Sequence, residues 1–321
     1  ADSYSENVRA DDLHPWGRYL VADIETTGLD RYGDKFRCIG MMFADDAREN
    51  GENIVYVVSG ARRGVLLKRL FATINRDTQW VWHNGKFDTS FLRAKGLPRA
   101  TVRVDHDTML LSYALDEIGG RHGLEQCIVD HLGLPAYKDQ LSAYVGKGKK
   151  KKKFADVPKD VLYAYMADDV VFTALLFRKL VPRVRKRAGL WQAYRELLIP
   201  ASNTLATIEL NGMPIDQRVL KQSEEELQSE MEPIVEEMRR MVRDPDFNPN
   251  SPDRLLKVLR SKYGLKVRNT NKDTLKEYDK HPFVSVLLKY RAKQKLISTY
   301  IRPFMKYGAR VHTSYLIHGT V

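Results

Sequence analysis

Apolar and polar positions in the first 60 residues fall into three short runs. These are YLVADIE at 19–25, FRCIGMMFAD at 36–45 and NIVYVVS at 53–59, each bounded by Gly, Asp, Asn or charged residues. Their β-branched and aromatic content predicts three consecutive strands. A helical period follows in ARRGVLLKRLFATIN (61–75), then a strand-like QWVWHN (79–84) and a short helix, KFDTSFLRAKG, ended by Gly96. VRVDHD (102–107) reads as a further short strand before the helical TMLLSYALD. From residue 120 the pattern turns helical: 122–133, a long helix from Pro158 to about Leu180, then 190–210, 216–243, 252–263 and 283–306. The 216–243 stretch is amphipathic and heavily charged, and RVHTSYLI near the end is strand-like. The expected fold class is therefore α/β, a mixed-sheet domain closing near Arg187 followed by a mainly helical region.

Charge changes this picture first. Lys plus Arg exceed Asp plus Glu by 53 to 41, so the chain carries +12 and favours a polyanionic partner through release of counterions from phosphates. Six of the seven residues at 147–153 are lysine, which suits either a solvated loop or a grip on phosphates. Cys38 and Cys127 form no CxxC pair, and no apolar run reaches the roughly 18 residues that span a bilayer. A soluble, intracellular, cytoplasmic protein with no membrane partner is expected.

Candidate chemistry lies in three acidic motifs. Asp23 and Glu25 end the first apolar strand, and the period of two puts both side chains on one face. Like charges brought together there call for a cation, and an all-oxygen set suits Mg²⁺ or Mn²⁺. Asp88, in HNGKFD, sits at a strand-to-helix junction, where it could equally complement a helix dipole. Tyr165 and Asp169, in YMADD, are four residues apart on one helical face. Together the motifs supply the carboxylates with which two metal ions about 4 Å apart cleave a phosphodiester. Asp107 fits either a supporting role behind such a site or a helix start. His83, His106, His122 and His131 show no zinc-ligand spacing.

DIETTGL, HNGKFD and YMADD resemble the three exonuclease motifs of the DEDDy branch of DnaQ-like nucleases, a resemblance covering about residues 15–180. It implies an RNase H-like fold and 3′-to-5′ exonuclease activity. Asp23, Glu25, Asp88 and Asp169 would be the metal-site carboxylates, with Asp23 the bridge, and Tyr165 would orient the attacking water. Thr26, Leu29 and Asn84 would lie near the terminal nucleotide.

IPASNTLATIELNGMPID, FNPNSPDRLLKVL, HPFVSVLLKYRAKQKLISTY and ARVHTSYLIHGTV resemble, in order, the linker and thumb of family A DNA polymerases, with Arg254 where many relatives carry an amide. The resemblance implies an exonuclease domain over 1–187, a helical linker and thumb over 188–308 and the start of a palm over 309–321. Its implied partners are a single-stranded DNA 3′ end and a primer-template duplex, the latter met by Lys289, Arg291, Lys293 and Lys295. The family's palm and fingers do not follow, so a second polypeptide carrying them is expected, covering Val311, Tyr315 and Ile317 on an open strand edge. Proofreading is the leading expectation. An RNase D-like exoribonuclease and a non-catalytic DNA-binding subunit are the alternatives.

Overall fold

Strand β2 (Tyr19–Thr26) is the apolar run on which the sheet is built, and only Tyr19 and Asp23 along it escape full burial. Burial on both faces requires neighbours on both edges. They are β3 (Phe36–Phe43), antiparallel, and β5 (Gln79–Trp82), parallel. In the computed structural model, which describes residues 4–5, 19–49, 51–59, 63–73, 78–118, 121–135 and 157–319, the sheet has six strands in the order β1-β4-β3-β2-β5-β6. The outer ones are β1 (Tyr4–Ser5), β4 (Val55–Val58) and β6 (His106–Asp107). The lysine run at 147–153 lies outside the described residues.

Helices cover the sheet. α1 (Arg63–Thr73) brings Phe71 onto Trp80, which stacks in turn on Trp82 two residues along β5. α2 (Gly85–Ala94) and α3 (Thr108–Leu115) each start directly after a strand, and α4 (Leu124–Cys127) continues as a π-helical turn, Ile128–Leu132. α5 (Lys159–Arg185) packs on β2 and β3. Met166 of α5 lies under Gly40, where any Cβ would meet its side chain at 3.1 Å.

The expected boundary near Arg187 falls inside the first of two compact units, which runs to Asn211 and resumes at Thr313. α6 (Ala188–Gln192), a π-helical stretch (Ala193–Leu198) and α7 (Ile199–Asn211) stay with the sheet because polar side chains bind them to it. Tyr194, fully buried, accepts the Asp107 N–H at 2.9 Å through its hydroxyl. Asn203 replaces a missing strand partner for Val104, accepting its N–H at 3.0 Å and donating to its carbonyl at 2.7 Å.

The second unit is Gly212–His312. Here α8 (Gln217–Val242) presents Met231, Met238 and Val242 to α11 (Pro282–Lys295), whose Phe283, Leu287 and Tyr290 complete the core. α9 (Pro252–Lys257) is fastened by Arg254, which pairs with Asp244 at 2.5 Å and donates to the Asp246 carbonyl at 2.9 Å. α10 (Lys272–Lys276) and α12 (Arg302–Met305) are short. Of the strand expected over 310–317 only Arg310–Val311 forms, as β8 paired antiparallel with β7 (Met213–Pro214). Residues 313–319 have no ladder; Ile317 packs instead on the core of the first unit. No helix among the described residues is long and apolar enough to cross a membrane.

Candidate active site

The end of β2 and the middle of α5 bring acidic side chains together. Carboxylate oxygens of Asp23, Glu25 and Asp169 lie within 4.8 Å of one another, and Glu25 and Asp169 are buried. Asp88, on the first turn of α2, approaches from the β5 side, where its Oδ1 accepts the Ile24 N–H at 3.2 Å. That bond ties the second acidic motif to the backbone between the two acids of the first. All four carboxylates expected from the motifs therefore belong to one locality, with Asp88 beside the close group of three.

The electrostatics record the crowding. Burial, reinforced by the charge of Asp23, pushes the Asp88 carboxyl well above the usual carboxylate range. Asp169 moves the same way through burial and then through Asp23, Glu25 and Asp88. The Tyr165 hydroxyl is likewise pushed up by burial and by Glu25 and Asp23, and so stays protonated. Buried acids in contact are costly as anions unless a cation lies among them. An all-oxygen set of this density has the chemistry that hard divalent cations take, so the residues fit such an ion.

Asp107 takes the helix-start role that its sequence left open and also reaches the start of α2. It caps α3 by accepting from Met109 N at 2.9 Å and Leu110 N at 3.3 Å, and it holds the start of α2 by accepting from Asn84 N at 3.1 Å and Gly85 N at 2.9 Å. Burial raises its carboxyl to about 6 even against these four donors. Asn84 precedes α2 with φ 59°, a left-handed conformation that Asn tolerates better than most residues. Behind it, a Cβ on Gly85 would lie 2.4 Å from Cβ of Trp82. The strand-to-helix turn that presents Asp88 thus depends on Asn84, Gly85 and Asp107 together.

Thr26 is buried and donates its hydroxyl to the Gly28 carbonyl at 2.7 Å, whereas Leu29 is 83% exposed. Leu29 and Asn84 line a cleft of about 310 Å³ with Arg31, Lys86, Phe87 and residues 314–318. Lys295 lies in the second unit, exposed on the last turn of α11. The histidines hold the fold. His106 meets Gln79 and Tyr194 at 2.8 and 3.2 Å, His83 meets Thr108 at 2.8 Å, and His122 and His131 both meet the Ser112 hydroxyl at 3.0 Å.

A second buried charge group escaped sequence reasoning. Glu209, on α7, is fully buried and pairs with both Arg31 and Lys86. Its signal was present: Ile199, Ser202, Ala206 and Glu209 form one buried stripe at helical spacing, and a charge on such a stripe needs partners.

Family models place this geometry among known proteins. Residues 6–185 match the 3′-5′ exonuclease family, and residues 217–321 match DNA polymerase family A. The DNA polymerase of Escherichia phage T5 is 30% identical over 254 residues, covering 70% of this chain and 30% of that protein. DNA polymerase I of Rhizobium leguminosarum is 31% identical, covering 94% of this chain and 32% of its own length. DNA polymerase I of Pseudomonas aeruginosa is 27% identical, with 92% and 34% covered. The chain thus spans about a third of the length of these relatives. A solved structure, the POL domain of Pol1 from M. smegmatis in complex with DNA primer-template and dNTP, shares the fold with a TM-score of 0.67 at 18% identity, over 94% of this chain and 49% of that one. The chain belongs to the 3′-5′ exonuclease family, and its exonuclease domain is followed by sequence that matches DNA polymerase family A.

Proposed function

We propose that this chain is a proofreading 3′-to-5′ exodeoxyribonuclease, hydrolysing the terminal phosphodiester of a DNA strand at Asp23, Glu25, Asp88 and Asp169. The observation that carries the reading is the meeting of Asp23, Glu25 and Asp169 oxygens within 4.8 Å, beside Asp88 and Tyr165, in a chain of the exonuclease family.

The four carboxylates would hold two divalent cations, Mg²⁺ or Mn²⁺. When bound, such ions supply charge stabilisation for the scissile phosphate and for the departing 3′ oxygen. The chain's own groups supply the rest. Tyr165, protonated and close to Glu25 and Asp23, hydrogen-bonds the attacking water and aims it. Asp88 is held rigid by the Ile24 N–H, and Asp107 keeps the turn behind it from shifting. Leu29 and Asn84 contact the last nucleotide from the cleft they line, with Thr26 shaping the turn that carries Leu29. Lys295 offers a cation to a duplex backbone.

Because the chain spans about a third of the length of these relatives, the reading is confined to hydrolysis. Matched DNA and RNA strands, offered with Mg²⁺, test it. Stepwise shortening of DNA in preference to RNA is expected. Preference for RNA would move the assignment to an RNase D-like exoribonuclease, and inertness toward both to a DNA-binding subunit.

A further inference from the structure

Glu209 stands outside the carboxylate cluster, yet it is as deeply buried as any residue of the protein. Three attachments converge on it. Arg31 comes from the connection between β2 and β3, two residues after Leu29. Lys86 comes from the first turn of α2, two residues before Asp88. The third is the backbone N–H of Tyr315, which donates to Glu209 Oε1 at 2.7 Å. Each attachment reaches a different wall of the same 310 Å³ cleft, which Leu29, Asn84 and residues 314–318 also line.

Stability alone is a poor reason for this carboxylate. A buried ion pair recovers its desolvation cost only with good geometry, and an apolar residue continuing the stripe of Ile199, Ser202 and Ala206 would pack more cheaply. What a carboxylate does and an apolar side chain cannot do is fix the direction of several charged donors at once. Two cations against one anion also leave positive charge beside the cleft, suited to a strand's phosphates.

We propose that Glu209 is a positioning residue of the exonuclease: it clamps the Arg31 loop, the Lys86 turn and the segment after His312 into one strand-binding cleft, so that polymerase-family sequence forms a wall of the exonuclease site. The proposal rests on the function proposed above and concerns how the strand is held, not how it is cut.

The test measures kcat and KM on 5′-labelled single-stranded DNA with Mg²⁺, and strand affinity by anisotropy with Ca²⁺ in its place, for the full chain and three variants. Glu209→Gln neutralises the clamp, Tyr315→Pro deletes the donated N–H while leaving the two cations paired, and Glu209→Asp keeps the charge. Losing uniform binding raises KM with kcat unchanged. The first two variants are expected to raise KM and Kd roughly tenfold, equivalent to about 1.4 kcal/mol, with Glu209→Asp closer to the parent. Unchanged KM and Kd in folded variants, or a loss confined to kcat, overturns the clamp. Tyr315 sits in neither helix nor strand, so Tyr315→Pro decides the matter if Glu209→Gln does not fold. Failure of the parent chain to cut DNA would count against the exonuclease reading instead, and the anisotropy of the same variants would still test the clamp.

Discussion

At the scale of single residues the site is a problem of charge. Asp88 and Asp169 are held above the usual carboxylate range by burial and by one another's neighbours, while Tyr165 is held protonated. In the proposed reaction, a protonated hydroxyl beside the cluster would orient water without becoming a charge itself. Tyr165→Phe is therefore expected to lower kcat about 100-fold, the low end for a positioned proton-handling group, while KM for the strand stays put. A fall of less than about threefold would remove Tyr165 from the chemistry. The clustering of Asp23, Glu25, Asp88 and Asp169 was legible because each of these acids lies in a short motif whose spacing has a meaning on a strand or a helix. For Glu209 the buried stripe of α7 could be read but its partners could not, since Lys86 lies 123 positions away and the pairing exists only once α2 and α7 are packed.

At the scale of elements the decisive feature is the turn from β5 into α2. Gly85→Ala would press a methyl against Trp82 in a fully packed place, so a loss of about 1–3 kcal/mol is expected in denaturant unfolding. An unaltered midpoint would show that the turn has slack. Asn84 offers a cleaner contrast. Its left-handed backbone costs Ala about 1–2 kcal/mol and costs Gly little, so Asn84→Gly should retain stability that Asn84→Ala loses. Asp107→Asn would turn an amide donor toward one of the N–H groups that the carboxylate satisfies, and a buried unpaired N–H costs about 1–3 kcal/mol.

Sequence reading located these elements well where apolar periodicity was strong, as in β2, β3 and α5. It failed where side chains decide the outcome. The helices through Asn211 look like a separate helical region by periodicity, yet side-chain bonds such as those of Tyr194, Arg195 and Asn203 to the β6 neighbourhood bind them to the sheet. The 310–317 stretch has strand composition, yet a ladder needs a partner along its whole length, and Met213–Pro214 supplies two residues.

At the scale of the whole molecule, protons and cations compete for the same carboxylates. Asp88 and Asp169 have raised folded-state pKa values, so the folded chain binds more protons than the unfolded chain above about pH 4. Without a cation, their contribution to stability therefore falls as pH rises from there through their folded pKa values. A divalent cation binds the ionised form, so the stabilisation it adds grows with pH, reaching about 2.7 kcal/mol at a concentration 100 times its Kd. Thermal unfolding with Mg²⁺ and with EDTA should differ more at about pH 8 than at about pH 5. Equal shifts at both would mean that the cation binds elsewhere.

The fold class and family were legible because the exonuclease motifs stand in order on strand ends and a facing helix. The measurement that tests the central claim most directly is digestion of a 5′-labelled single-stranded DNA with Mg²⁺ or EDTA, by the parent chain and by the Asp23→Ala, Glu25→Ala double variant. A ladder of products shortened from the 3′ end, abolished both by EDTA and by the double substitution, is the expected result; a ladder that survives the loss of Asp23 and Glu25 would contradict it.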